Sequence, residues 1–212
     1  MNLSPARTLT HNRVAVACLV AVLVTATASS GGAVAPTPAG SAPTLSAAAV
    51  SAPSVSSDGQ QDFDWELGSW RSDVRVLADP LSGSEEWLRF SGTSDVRPLM
   101  DGRANVVELD ISGEAGRIEG LNVRLYEPQA DRWSSTFVNM RDGLLTSSVY
   151  GGFDDGVGEF YGKDQLDGRP IEVRFLIFRL GPDKARFEQA FSDDGGATWE
   201  TNWISVDRRI HR

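Results

Sequence analysis

The chain has 212 residues, room for one domain with appendages, and its composition divides sharply: all six Trp, three Tyr and nine Phe fall at or after Phe63. From Asp62 onward 18 bases face 28 acids, a net −10 that argues against a protein tracking nucleic-acid phosphates or an anionic membrane surface. His11 and His211 are the only histidines, so Ser–His triads, His-ligated zinc and proximal-His haem are nearly excluded.

Residues 1–28 read as an export signal. Arg7 and Arg13 make the start positive, and no acid precedes Asp58. Val14 to Val24 is an unbroken apolar run, and Ala26-Thr27-Ala28 offers small residues for cleavage, with Ala33-Val34-Ala35 as a second site. The run falls short of the roughly 20 residues a spanning helix needs. Most of it follows Cys18, which argues against acylation there, and cleavage would remove the chain's one thiol. The expectation is a disulfide-free protein exported to a periplasm or beyond, with no membrane span after cleavage. Residues 29–61 follow as a linker expected to be disordered, in which Ser, Ala, Pro and Gly make up 24 of 33 positions without an aromatic.

The body, 62–212, repeats a β-prone stretch and a Gly/Asp/Pro turn about every dozen residues. Candidate strands are 70–78, 85–97, 104–112, 119–126, 131–140, 144–150, 157–163, 170–180, 184–191 and 199–209. Asp-Gly pairs at 101–102, 142–143, 155–156 and 167–168 punctuate them, because Gly permits the positive φ of tight hairpins. Ten strands on short turns predict an all-β antiparallel up-and-down meander closing into a barrel, with a two-sheet sandwich as the alternative. In the eighth strand Ile171, Val173, Phe175 and Ile177 share one face.

Three segments carry a family resemblance: Phe63 to Trp70 (FDWELGSW), Leu99 to Arg103 with Val107-Glu108, and Phe191 to Trp199 with Arg208-Arg209 beyond. Together they resemble the DUF1579 family, small bacterial proteins of unknown function with a lipocalin-like (calycin) β-barrel, over essentially all of 62–212. The resemblance implies that fold and a possible ligand cavity, and brings no catalytic residues. Gly68-Ser69-Trp70 is similar to the lipocalin G-x-W signature, in which the Trp plugs one barrel end. An Arg of the closing strand, Arg208 or Arg209 here, is expected to pack across it. Ser192-x-Asp194-x-Gly196-x-Thr198-Trp199 matches the Asp-box of sialidases and related propellers. With a single copy and no identifiable arginine cluster or tyrosine nucleophile, it reads as a hairpin device.

Candidate chemistry centres on Glu108, in a strand with Val107, Leu109 and Ile111 on one face and Val106, Glu108 and Asp110 on the other. If the second face points inward, Glu108 is partly buried and needs a cation, for which Arg103, Arg124 and Arg174 are available. Such a couple could bind a polar ligand head or be a structural ion pair. The acid pairs Glu85-Glu86, Asp154-Asp155 and Asp193-Asp194 lack calcium-loop spacing, and Gly151-Gly152 lacks phosphate-cradle context. The reading is a barrel binding a small apolar or amphipathic molecule inside. Trp70, Trp133, Tyr150 and Trp203 would form its apolar walls, and Arg103 with Glu108 its polar end. No cofactor, metal or nucleic acid is expected, and the oligomeric state is open. The alternatives are a His-free enzyme using Glu108 or a tyrosine as acid/base, and an envelope scaffold.

Overall fold

The computed structural model describes residues 59–211. The expected signal at 1–28 and the linker as far as residue 58 lie outside the described residues. Gly59–Gln61, which composition assigns to the linker, form a 3-10 turn, and a second turn spans Asp64–Glu66. Then come β1 (Gly68–Leu77), β2 (Trp87–Leu99), β3 (Ala104–Gly113), β4 (Gly116–Glu127), β5 (Arg132–Asn139) and β6 (Leu144–Leu145). The remaining strands are β7 (Val149–Asp154), β8 (Val157–Leu166), β9 (Arg169–Gly181), β10 (Lys184–Ser192) and β11 (Glu200–Arg209). Asp155-Gly156 and Asp167-Gly168 each join two strands with positive φ at both residues, the geometry whose twist suits a two-residue hairpin.

All pairings are antiparallel. Each strand pairs with the next, except that β6 is a short spur on β5 and the ring continues from β5 to β7. Pairing of β1 with β11 closes the sheet, so ten strands form one barrel with a single extra strand. One continuous closed sheet excludes the sandwich. The expected strand 144–150 divides into β6 and β7, and β7 runs on through Gly151-Gly152, which lie beyond the end of that candidate strand. The cause is close backbone approach: a Cβ at Gly151 would lie 1.8 Å from the Glu159 carbonyl oxygen of β8.

β1 runs from a base, marked by Trp70, toward a top, marked by Val76, and alternation of strand direction sorts the loops to these two ends. At the top, Val76, Phe90, Ile111 and Ile118 pack together. At the base, the 59–67 segment tucks in beneath the strands. Phe63 is buried edge-on against Trp133 and Phe153, and the Trp133 indole N–H donates to the Gly59 carbonyl at 2.7 Å.

Trp70 is buried at this base, and its indole N–H donates to the Glu66 carbonyl at 2.6 Å. The Arg209 guanidinium lies 4.1 Å from the Trp70 ring centroid and donates to the carbonyls of Leu67, Trp65 and Pro182. Arg209 thus fulfils the expected closure, while Arg208 turns outward to Asp73. The Asp-box is likewise a hairpin device. Asp194 accepts the Thr198 amide at 2.9 Å and the Thr198 and Ser192 hydroxyls at 2.7 Å, while the Ser192 hydroxyl accepts the Gly196 amide. These donors hold the Asp194 carboxyl down at about 2.

Arg209→Ala removes the ring contact and three charge-assisted hydrogen bonds, so it should cost about 3 kcal/mol in urea unfolding, against well under 1 kcal/mol for Arg208→Ala. Asp194 is depressed below its unfolded value, so its stabilisation is complete above pH 4 and is lost as pH falls toward 2. Thermal unfolding of Asp194→Asn should show a deficit at pH 6 that shrinks toward pH 2.

Candidate ligand cavity

The barrel is wider than its inward side chains can fill. Alternation turns Ile171, Val173, Phe175 and Ile177, which share one face of β9, inward, and they meet Phe187 and Phe191 of β10 and Trp203 of β11. Between them and the wall of β1–β5 lies a cavity of about 160 Å³. An engineered void of roughly 150 Å³ takes up benzene, so the space suits an aromatic ring or a short aliphatic body. Gly120 helps keep it open: the Phe137 ring lies where a Cβ would be, 2.2 Å away, so the ring sits against the β4 backbone.

Toward the base the lining becomes polar. Ser72 of β1, Ser94 of β2, and Ser205 and Asp207 of β11 converge there. The Ser72 and Ser94 hydroxyls are 3.1 Å apart, and the Ser205 hydroxyl reaches both Asp207 carboxylate oxygens at 2.8 and 2.9 Å. Burial pushes the Asp207 carboxyl up to about 6, opposed by the Ser72 and Ser205 hydroxyls and reinforced by the charges of Glu66 and Asp73. The floor is an ion pair: Arg124 of β4, nearly buried, binds Glu66 through both guanidinium ends and stacks 4.2 Å over Phe63. At the top, Thr146, Ser147, Asp164 and Gln165 form the rim. Burial raises the Asp164 carboxyl too, offset by the Gln165 amide and the Ser147 hydroxyl.

Of the six expected ligand-binding residues, Trp203 lines the cavity and the other five stand outside it. Trp70 is the basal plug. Trp133 is buried in the aromatic floor cluster with Phe63 and Tyr126. Tyr150 is on the outer surface, 40% exposed, beneath the Arg132 guanidinium. Glu108 points outward and pairs with Arg97 at 2.8 Å, both exposed. Arg103 is exposed and donates to the Met100 carbonyl in its own turn. The correction for Glu108 follows from alternation: Val107, Leu109 and Ile111 take the inner face of β3, which forces Glu108 outward. That also takes it away from any interior acid/base chemistry. An interior Arg–carboxylate couple does exist, built from Arg124 and Glu66 instead.

The residues sequence reasoning missed are Ser72, Ser94, Ser205, Asp207 and Asp164. One signal could have found two of them. If Arg209 packs across Trp70, then 207, 205 and 203 share its inward face.

Asp207 is raised above its unfolded value, so the fold binds the proton more tightly. Its contribution is complete below pH 4 and is lost as pH rises through about 6. Asp207→Asn should therefore gain roughly 2–3 kcal/mol over the parent at pH 8 and little at pH 4, read by denaturant unfolding at both values. Equal destabilisation at both would contradict the burial described.

No protein-family model and no curated protein sequence matches the chain. Among solved structures, the chain is similar to the S-type phycobiliprotein lyase CPES from Guillardia theta, with a TM-score of 0.51 at 14% identity, covering 72% of this chain and 93% of that one. A de novo designed fluorescence-activating β-barrel aligns at TM-score 0.39 and 12% identity over 70% of this chain and 98% of its own. EF1p2_mFAP2b bound to DFHBI aligns at 0.40 and 10% over 72% and 99%. The likeness to the lyase is one of fold: the chain is an antiparallel barrel of that general kind.

Proposed function

We propose that this protein is an exported carrier or sensor barrel that takes a small apolar or amphipathic molecule into its interior. One observation carries the reading: the barrel interior holds connected free volume, about 160 Å³, where a purely structural barrel would be filled by side chains. The lining supports it, since an apolar wall with a few convergent polar groups, here at the base and the rim, is the usual make-up of a small-molecule site. Export rests on residues 1–28. The resemblance to DUF1579 belongs to the same reading and supplies no substrate.

Native mass spectrometry of the purified protein tests for a retained molecule, and calorimetric titration with 2-phenylethanol tests uptake of a neutral probe. Val173→Trp, which fills the cavity from β9, should weaken that probe at least tenfold while thermal unfolding remains cooperative. A folded variant that binds as tightly as the parent would place the ligand elsewhere. No retained molecule and no saturable uptake would defeat the reading.

A further inference from the structure

We propose that the cavity selects an organic cation, an aromatic or short aliphatic body bearing an ammonium group seated against the Asp207 carboxylate. This rests on the binding function proposed above and names the class of ligand.

Glu66 and Arg124 satisfy each other in the floor. Asp207 has hydroxyl partners, from Ser205 and Ser72, and Asp164 has the Ser147 hydroxyl and the Gln165 amide. Among the described residues neither carboxylate is in an ion pair, so with both ionised the cavity carries two unneutralised negative charges. A carboxylate withdrawn from water needs a counter-charge or a proton, and two hydroxyl donors leave part of its acceptor capacity unused. An anionic ligand would add a third charge of the same sign. A neutral one would leave the imbalance in place. A ligand ammonium removes it.

Among the described residues, every arginine near Asp207 is engaged with another partner, and no cation forms an ion pair with it. Across the sheet, β1 places Ser72 opposite Asp207, with neighbouring Asp73 held by Arg208 on the outer surface. β10 places Ala185 opposite, flanked by Lys184, which is exposed, and Arg186, which pairs with Glu188. Inside the barrel the charged neighbours are Glu66 and the Arg124 that it occupies. Arg209, two residues on along the same face, is held by the Trp70 ring, the Leu67, Trp65 and Pro182 carbonyls and Asp183. Arg186, paired with Glu188, also borders the cavity. Aromatic rings complete the site: Trp203 lies four residues before Asp207 on the same inward face, and Phe175 and Phe187 pack edge-on at 5.1 Å. Such rings attract cations as well as apolar bodies. Because burial holds the Asp207 carboxyl near 6, the ligand competes with a proton there, and uptake weakens as pH falls below that value.

The test is calorimetric titration of the full chain with 2-phenylethylammonium, 2-phenylethanol and phenylacetate, which share a ring and differ in the head group. At pH 8 the ammonium should bind at least tenfold more tightly than the alcohol, with phenylacetate weakest. Asp207→Asn should erase the advantage, so that the ammonium binds no more tightly than the alcohol in that variant, and Asp164→Asn should keep most of it. In the parent protein the advantage should fade through pH 6, a readout that does not depend on the variant folding. An alcohol bound as tightly as the ammonium would overturn the inference and leave the binding function standing. An advantage lost in Asp164→Asn but kept in Asp207→Asn would overturn the assignment to Asp207. Saturable binding of none of the three would remove both the inference and the function beneath it.

Discussion

Everything in this barrel depends on the seam between β1 and β11. A meander whose first strand stays unpaired presents two open edges, each a row of unmet amides and carbonyls. Here the first strand finds the last, in a register that sets Trp70 beside Arg209 and Ser72 beside Asp207. The side-chain period of a strand is two, so a slip of one residue at the seam would send Trp70, Ser72 and Val74 outward together. The stack of Arg209 on Trp70 and its bonds to the Trp65 and Leu67 carbonyls hold that register. The seam thus determines both that the sheet closes and which residues face the cavity.

With closure fixed, inward and outward no longer follow hydrophobicity strand by strand. In β4, Leu121, Val123 and Leu125 turn outward while Asn122 and Arg124 turn inward, and Leu125 is 51% exposed. Each inward residue of β4 answers one of β3: Arg124 faces Asn105, Asn122 faces Val107, and Gly120 faces Leu109. A strand that loses apolar burial in this way is stabilised by its neighbours' register and by the Arg124–Glu66 pair. The cavity inherits its polar end from this inversion and from Ser205 and Asp207.

This explains what could be read from the sequence and what could not. The strands were legible because Asp-Gly turns and β-prone runs are local features, and the Trp70–Arg209 contact was legible because it belongs to a recurrent way of closing such barrels. Face assignment was not local. In β3 the more apolar face, Val107 to Ile111, does point inward, and preferring it would have removed Glu108 from the candidate site. In β4 the same preference gives the wrong face, since the register with β3 overrides it. Asp207, in a stretch reading Ser-Val-Asp-Arg-Arg, resembles the solvated end of a strand. Only its phase relative to Arg209 identifies it as interior. Tyr150 and Trp133 show the complementary error: aromatic content is a reliable sign of a core, but it does not separate cavity wall from plug or from outer surface.

The floor of the cavity has a mechanical consequence. It is made by the chain leading into the barrel, and it is held by the Gly59 carbonyl on Trp133, by buried Phe63 and by Glu66 on Arg124. A load applied to the backbone ahead of Gly59 meets these three attachments in order before it reaches any strand pair. Each is a local contact, whereas β1 is hydrogen-bonded along both sides. Tension on the front of the chain would therefore act first on the cavity floor, and the barrel wall would bear it last.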